Sequence, residues 1–309
     1  MPGRPLLIGT RGSPLALWQA RHVWARLLEA DGLGEGDVGL SVITTSGDRI
    51  KDKPLREFGG KGLFTKEIDE ALLRGDVDLA VHSMKDLPTE LPKGICIAAV
   101  LPRADVRDAF ISSKAPGLAE LPPGAAVGTS SLRRAAQILR LRPDLRVVDF
   151  RGNVETRLKK LSEGQADATL LALAGLERLG LAAHATSILS TEEMLPAVAQ
   201  GAIGVTCRED DKRTRQLLEK LNDAASATAI ACERSFLASL DGSCKTPIAG
   251  LAEIEDGVLR FRGLIIAPDG TEWYEAELTG MADNAEQIGR DAGAELLARA
   301  GPQFMASLA

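Results

Sequence analysis

Short aliphatic runs alternate with amphipathic stretches at helical spacing from Leu6 to Leu179, and this alternation limits the chain to an α/β layered fold. Leu6–Thr10 reads as a short buried strand. Ser13-Pro14 supplies a cap and a first-turn proline, and Leu17, Ala20, Val23, Trp24, Leu27 and Leu28 follow on one helical face. Leu40–Thr45, Val77–His82 and Ile95–Val100 read as strands, with a helix near Phe64–Leu73. Aromatic residues make up only 4% of the chain, so the cores between these layers are aliphatic.

The pattern then restarts. Ala126–Gly128 leads through a turn into a helix near Leu132–Leu141. Leu145–Phe150 is a strand, Asn153 caps a helix to Leu161, and Asp167–Leu171 precedes a short helix to Leu179. LLRGDVDLAVHSMKDL (72–87) lines up with LSEGQADATLLALAGL (161–176), placing Gly75 on Gly164 and Asp78 on Asp167. The openings at Gly9-Thr10 and Gly128-Thr129 also match. Together these echoes predict two lobes of similar α/β build around a cleft. Ala202–Cys207 is a further strand, read as returning to the first lobe, and helices follow near 211–221 and 225–239. Three strand patterns joined by Glu255-Asp256-Gly257 and Pro268-Asp269-Gly270, then a helix over Asn284–Ala298, form a small C-terminal α+β domain. The expected division is 1–101 with 201–219, 106–196, and 224–309.

Several classes of function fit poorly. A formal net charge of −6 argues against a nucleic-acid or membrane-surface binder. The N-terminal apolar stretch is short and interrupted by Arg11, unlike a signal peptide, and no run reaches the roughly 18–20 apolar residues of a membrane span. A cytoplasmic protein is expected. Cys96, Cys207, Cys232 and Cys244 form no C-x-x-C pair and are too few for a disulfide framework. With three histidines and no H-E-x-x-H, no metal site is expected. Residues 46–62 are polar and glycine-rich, ending in Gly59-Gly60-Lys61-Gly62, and read as a mobile loop.

Arginines at helix openings carry the main chemical signal. Arg11 follows the first strand, Arg133 and Arg134 sit in a first helical turn, Arg151 precedes the Asn153 cap, and Arg157 lies in the second turn. A cation there opposes the helix dipole at roughly 0.3–1 kcal/mol each. The repeated pattern therefore implies an anion, met by guanidinium forks and backbone N–H groups. Each arginine taken singly reads equally as solvated surface charge. Arg178, late in a short helix, suits the dipole and can be read either way.

His82-Ser83-Met84-Lys85-Asp86-Leu87-Pro88 lies at the carboxyl end of a strand, where open α/β sheets place ligands. Lys85 and Asp86 there read as a site or as an ion pair in a turn. Cys244, in DGSCKTPIAG (241–250), reads as a nucleophile favoured by Lys245 or as an ordinary exposed cysteine, and the local sequence alone leans to the second.

Eight segments in order resemble the porphobilinogen deaminases: IGTRGSPLALWQA (8–20), GGKGLFTKEI (59–68), DLAVHSMKDLP (78–88), GTSSLRRAAQ (128–137), FRGNVETRL (150–158), LALAGLERLG (171–180), LPAVAQGAIG (195–204) and GSCKTPIAG (242–250). The chain departs from the family at Ser243, at Lys245-Thr246 and at Ala199, where a glycine is usual. The resemblance implies two periplasmic-binding-protein-like lobes and a third domain carrying the cofactor cysteine. It implies a dipyrromethane cofactor, thioether-linked to Cys244, onto which four porphobilinogen units are added with loss of ammonia before hydroxymethylbilane is released by water. Arg11, Arg133, Arg134, Arg151, Arg157 and Arg178 are then expected to bind the pyrrole carboxylates. Ser13, Thr129 and Ser130 would add hydroxyl donors, and Lys85 a charge near the primer. Asp86 would stabilise the cationic azafulvene and handle the proton. Gly59, Gly60 and Lys61 would belong to a lid. The family suggests a monomer. Two rivals share the two-lobed pattern or the arginines: a solute-binding or effector-sensing module, and a phosphate-ester enzyme. The Cys244 loop has no purpose in the first, and no P-loop or metal-ligand cluster supports the second.

Overall fold

The computed structural model describes residues 4–49, 64–242 and 246–308. In chain order these residues form β1 (Leu6–Thr10), α1 (Pro14–Asp31), β2 (Val38–Val42), α2 (Ser46–Arg49), α3 (Lys66–Arg74), β3 (Leu79–Ser83), β4 (Ile95–Val100) and β5 (Asp108–Ser112). Next come β6 (Ala126–Gly128), α4 (Leu132–Leu141), β7 (Arg146–Val148), α5 (Val154–Ser162), β8 (Ala168–Ala172), α6 (Leu173–Arg178) and β9 (Ser187–Ile188). The chain closes with β10 (Ile203–Arg208), α7 (Lys212–Glu219), α8 (Ala224–Ser239), β11 (Ile248–Glu255), β12 (Val258–Ile266), β13 (Trp273–Met281) and α9 (Ala285–Ser307). It divides into two compact units, Met1–Arg103 with Ala202–Ala227, and Ala104–Gly201 with Thr228–Ala309.

The first unit holds a five-stranded sheet in the order β2-β1-β3-β10-β4. β1 runs parallel to β2 and β3, and β10 returns antiparallel between β3 and β4. The carboxyl ends of β1 and β3 therefore share one edge of the sheet. Ser13 caps α1, its Oγ accepting from the Ala16 N–H at 3.3 Å, ahead of Pro14. Ile8, Val23, Leu27, Leu79 and Val205 pack an aliphatic core with little aromatic content, as the composition requires.

The second unit repeats the plan. Its first sheet has the order β7-β6-β8-β5-β9, with β6 parallel to β7 and β8, and β5 antiparallel to β8 and β9. The internal echo has a physical basis. Gly75 and Gly164 both take left-handed backbone just after a helix, at φ 77° and 75°. The carboxylate of Asp78 accepts from the Leu7 N–H at 2.9 Å, and that of Asp167 accepts from the Ala126 N–H at 2.7 Å. Each aspartate thus holds a parallel neighbour, β1 or β6, against the strand it precedes.

A three-stranded antiparallel sheet, β11-β12-β13, and α9 complete the second unit. Asp256 and Gly257 both have positive φ, as a tight hairpin turn demands. Ala136 and Leu195 pack with Ala249, Leu264 and Ile266 of this sheet, and the Arg140 guanidinium lies 4.2 Å from the Trp273 ring. α9 runs past the expected end at Ala298, but breaks at Gly301-Pro302, where Gly301 takes φ 72° and ψ 168°. β5 and the two-residue β9 are strands that sequence periodicity did not reveal.

Candidate functional site

In the first unit, the expected residues gather where β1 and β3 end. Arg11 follows β1, and its guanidinium lies over the Phe64 ring at 4.3 Å, a contact worth about 0.5–1 kcal/mol or more. His82 is buried and remains neutral, its pKa lowered to about 4 by burial and then by the charge of Arg11. It shares a 3.1 Å hydrogen bond with Thr206 of β10. The Gln19 amide, also buried, donates to Ser83 Oγ at 2.9 Å and so ties α1 to the end of β3. Met84–Asp86 then form one turn of 3₁₀ helix, closed by the Leu87 N–H donating to the Met84 carbonyl at 3.2 Å. The Met84 side chain points inward, Lys85 is half-buried and Asp86 is exposed. Ser13 uses its oxygen to cap α1, which leaves its O–H to donate.

In the second unit, Thr129 and Ser130 follow β6, and Arg151 follows β7, at the shared carboxyl edge of two parallel strands. The Thr129 oxygen accepts from the Ser131 N–H at 3.1 Å, a contact that does not use its hydroxyl proton. Ser130 bridges two protein groups. Its O–H donates to Asp149 at 2.5 Å while its oxygen accepts from the Phe150 N–H at 3.0 Å, so the hydroxyl staples two loops together. Arg151 and Arg157 are half-buried. Arg178 donates to the Gly201 carbonyl at 2.6 Å, and burial lowers its pKa.

For Arg133 and Arg134 the structure adds partners within the protein. Both are buried, and the anion they face is internal. Arg133 donates to Asp108 at 2.7 Å and to the Leu195 carbonyl at 2.7 Å. Arg134 grips the same carboxylate through Nε at 3.2 Å and Nη2 at 2.7 Å, and donates to the Leu170 carbonyl. Gln200 adds a fourth donor to Asp108 at 2.8 Å. Burial alone would raise the Asp108 pKa, but the charges of Arg133 and Arg134 prevail and hold it well below the ordinary carboxylate range. Two cations on one carboxylate leave the cluster a net charge of about +1. No acid lies in the first turn of α4, so this counter-charge had to come from elsewhere in the chain.

Sequence reasoning also missed Gln19, Gln200 and Glu233. Glu233, fully buried in α8, accepts from the Ala199 N–H at 2.6 Å and the Ala252 N–H at 2.8 Å. Ala199 has φ 62°, the left-handed region, which explains why the family usually has glycine there. The one available signal for Glu233 was a carboxylate in a helix whose only other charged residue is Arg234. Cys244, Gly59, Gly60 and Lys61 lie outside the described residues. Among the described residues no three His, Cys, Asp or Glu side chains group as metal ligands, and no helix is long and apolar enough to cross a membrane.

Fold and charged sheet edges together define a two-lobed α/β protein with a small sheet-and-helix domain. Residues 6–216 match the porphobilinogen deaminase, dipyromethane cofactor binding domain, and residues 227–298 match the porphobilinogen deaminase C-terminal domain. The chain belongs to the porphobilinogen deaminase family. It is 57% identical over 297 residues to the porphobilinogen deaminase of Nitrobacter winogradskyi, covering 96% of this chain and 94% of that one. Against the chloroplastic porphobilinogen deaminase of Oryza sativa subsp. japonica it is 57% identical over 306 residues, covering 97% and 86%. Among solved structures, the methionine binding protein MetQ shares 14% identity over 76% of this chain and 96% of that chain, with a TM-score of 0.45.

Proposed function

We propose that this chain is a transferase of tetrapyrrole biosynthesis that joins four porphobilinogen molecules, with loss of ammonia, and releases hydroxymethylbilane by hydrolysis. The reading rests on the family match over most of the chain and on one observation, an exposed carboxylate beside a cationic sheet edge. Asp86 stands on a single turn at the end of β3, next to the strand that delivers Arg11.

Porphobilinogen carries an acetate and a propionate, so each addition brings two negative charges. Arg11, Lys85, Arg151, Arg157 and Arg178 receive those carboxylates, with Ser13 and Thr129 donating hydroxyl protons. Arg133 and Arg134 act at one remove, as a fixed positive charge set by Asp108. Ser130 holds the Asp149–Phe150 loop that leads into Arg151. Asp86 faces the positive charge left on the substrate when ammonia departs, accepts pyrrole N–H bonds and carries the proton. A carboxylate does this best when it is already aimed at the place where charge develops.

The residues fit a dipyrromethane cofactor on the chemistry of the donor set: guanidinium and hydroxyl donors for its acid side groups, with one nearby carboxylate for its ring N–H groups. When bound through Cys244, that group supplies the pyrrole carbon to which the first substrate unit is joined. The chain comprises three domains, 1–101 with 201–219, 106–196, and 224–309, and works as a cytoplasmic monomer. Its net charge of −6 gives nucleic acid no general purchase.

Mass spectrometry of the native chain tests this reading. A covalent adduct above the sequence mass is expected, lost in Cys244→Ala and retained in Asp86→Asn, which loses turnover. An unmodified native chain, or near-normal turnover in Asp86→Asn, overturns the assignment concerned.

A further inference from the structure

We propose that Met84 and Gly204 form a positioning pair that sets the height of the Asp86 turn above the sheet. The inference rests on Asp86 being the reacting acid. Met84 is the first residue of the turn that ends in Asp86, and its side chain is 1% exposed. It lies on β10 over Gly204, whose backbone pairs with His82. A Cβ built on Gly204 would stand 2.0 Å from Met84 Sδ and 2.9 Å from Met84 Cγ. Packed carbon and sulfur atoms keep roughly 3.5–4 Å apart. A methyl group at position 204 therefore forces the Met84 side chain outward by about 1.5 Å.

The stem of the turn cannot absorb that shift. The Met84 N–H is bonded to the Ala202 carbonyl at 3.1 Å, Ser83 is held by Gln19, and His82 is held by Thr206. Met84 is also among the largest fully buried side chains, so any swing of its sulfur works against packed neighbours. The exposed end of the turn is Asp86, and the shift is passed on to it. A hydrogen at position 204 is what lets Met84 seat deeply and draws Asp86 down to the sheet edge. Positive φ is not the reason for this glycine; its need is space for one neighbouring side chain.

The pair is a positioning device, so its loss should affect the chemical step rather than binding. The test measures kcat and KM for porphobilinogen, with the covalent adduct mass and the melting temperature of each full-length variant. Gly204→Ala should lower kcat about 100-fold, the order expected for a displacement near 1 Å, with KM within about twofold and the adduct intact. Removing the obstructing side chain should reverse this, so Gly204→Ala/Met84→Ala should regain at least about tenfold in kcat over Gly204→Ala. Met84→Ala alone should lose about tenfold, and Met84→Leu should recover most of that loss. The proposal fails if Gly204→Ala keeps more than about a third of wild-type kcat, or if the double variant is no faster than Gly204→Ala. Should Gly204→Ala not fold, the comparison of Met84→Ala with Met84→Leu decides alone, and equal kcat values overturn the pair. Asp86→Asn, assayed alongside, separates the two readings. Its activity would remove the role of Asp86, whereas a dead Asp86→Asn with an unaffected Gly204→Ala would remove only the positioning role of Met84 and Gly204.

Discussion

Asp108→Asn is expected to be among the most damaging single substitutions in the second unit, although the side chain never meets solvent. The carboxylate is fully buried and accepts four hydrogen bonds, from Arg133 at 2.7 Å, from Arg134 at 2.7 and 3.2 Å, and from Gln200 at 2.8 Å. The two guanidinium side chains are only 4% and 6% exposed. Neutralising Asp108 leaves both cations buried, unbalanced and facing an amide that brings donors of its own. Breaking a buried ion pair from one side costs about 3–5 kcal/mol. For a unit of this size each kcal/mol moves the melting temperature by roughly 2–4 °C, so a fall of about 6–20 °C is expected. Arg133→Met makes the informative comparison. It removes the surplus cation and leaves a neutral, bidentate Arg134–Asp108 pair, so it should cost clearly less than Asp108→Asn. Thermal melts of both variants near neutral pH, followed by circular dichroism, decide the matter. If Asp108→Asn melts within about 2 °C of wild type, or if Arg133→Met costs as much, the charge arithmetic of this cluster is wrong. The pH dependence has a definite sign. The folded pKa of Asp108 is depressed, so its contribution is present above the unfolded value near 4 and is lost as the pH falls below it.

Asp69 should behave in the opposite sense. It is 5% exposed in α3, its Oδ1 has no hydrogen-bond partner among the described residues, and burial raises its pKa to about 6. Its stabilising contribution is therefore present below about pH 4 and lost as the pH rises through 6, at most about 3 kcal/mol. Asp69→Asn should flatten that decline, and parallel stability–pH curves for variant and wild type from pH 4 to about 8 would exclude the effect. Gly201→Ala and Gly164→Ala form a second comparison. Both glycines have positive φ, at 86° and 75°, but a Cβ at 201 would meet the Ala104 carbonyl oxygen at 2.5 Å while one at 164 meets nothing within 4 Å. Gly164→Ala should cost about 1–2 kcal/mol from backbone strain alone. Gly201→Ala should cost measurably more in urea denaturation, and equal midpoints would remove the contact as a cause.

The features legible in the sequence were those that depend on near neighbours. The cap at Ser13 and the repeated Gly–x–x–Asp that aligns Asp78 with Asp167 each act within a few residues or on the adjoining strand. The strands and helices built on them appear within a few residues of their expected bounds. β5 was hidden because Asp108–Ser112 is short, opens with a charged residue and gains its burial from β8, some sixty residues away. Arg133 and Arg134 read in the sequence as cations that call for an anion. Their partner was missed because nothing near them in the chain reveals that the carboxylate is Asp108. The Ser130 bond to Asp149 is hidden for the same reason, since Asp149 lies on the next strand's loop. Gly204 carried no local signal at all, because its meaning depends on a methionine more than one hundred residues earlier.

Under the proposed function, the arginines divide into two kinds, and the division follows from Asp108. A surface arginine that closes on a carboxylate gives up side-chain freedom, on a scale of about 2 kcal/mol for a fully mobile chain. Arg133 and Arg134 have already given it up to Asp108, Leu195 and Leu170. What they present is a field rather than a grip, with a net charge of about +1 in surroundings that screen it poorly. The amino end of α4 adds its dipole in the same sense. A field of this kind does not depend on where along a lengthening polyanion the next carboxylate falls, whereas a bidentate grip does. The half-buried Arg151 and Arg157 are suited to the grip. Removing the surplus charge with Arg133→Met should therefore weaken every addition by a similar factor, while Arg151→Leu should stall particular steps. Resolving the successive adducts by mass in single-turnover experiments distinguishes the two patterns, and a step-specific block in Arg133→Met would assign that residue to the grip instead.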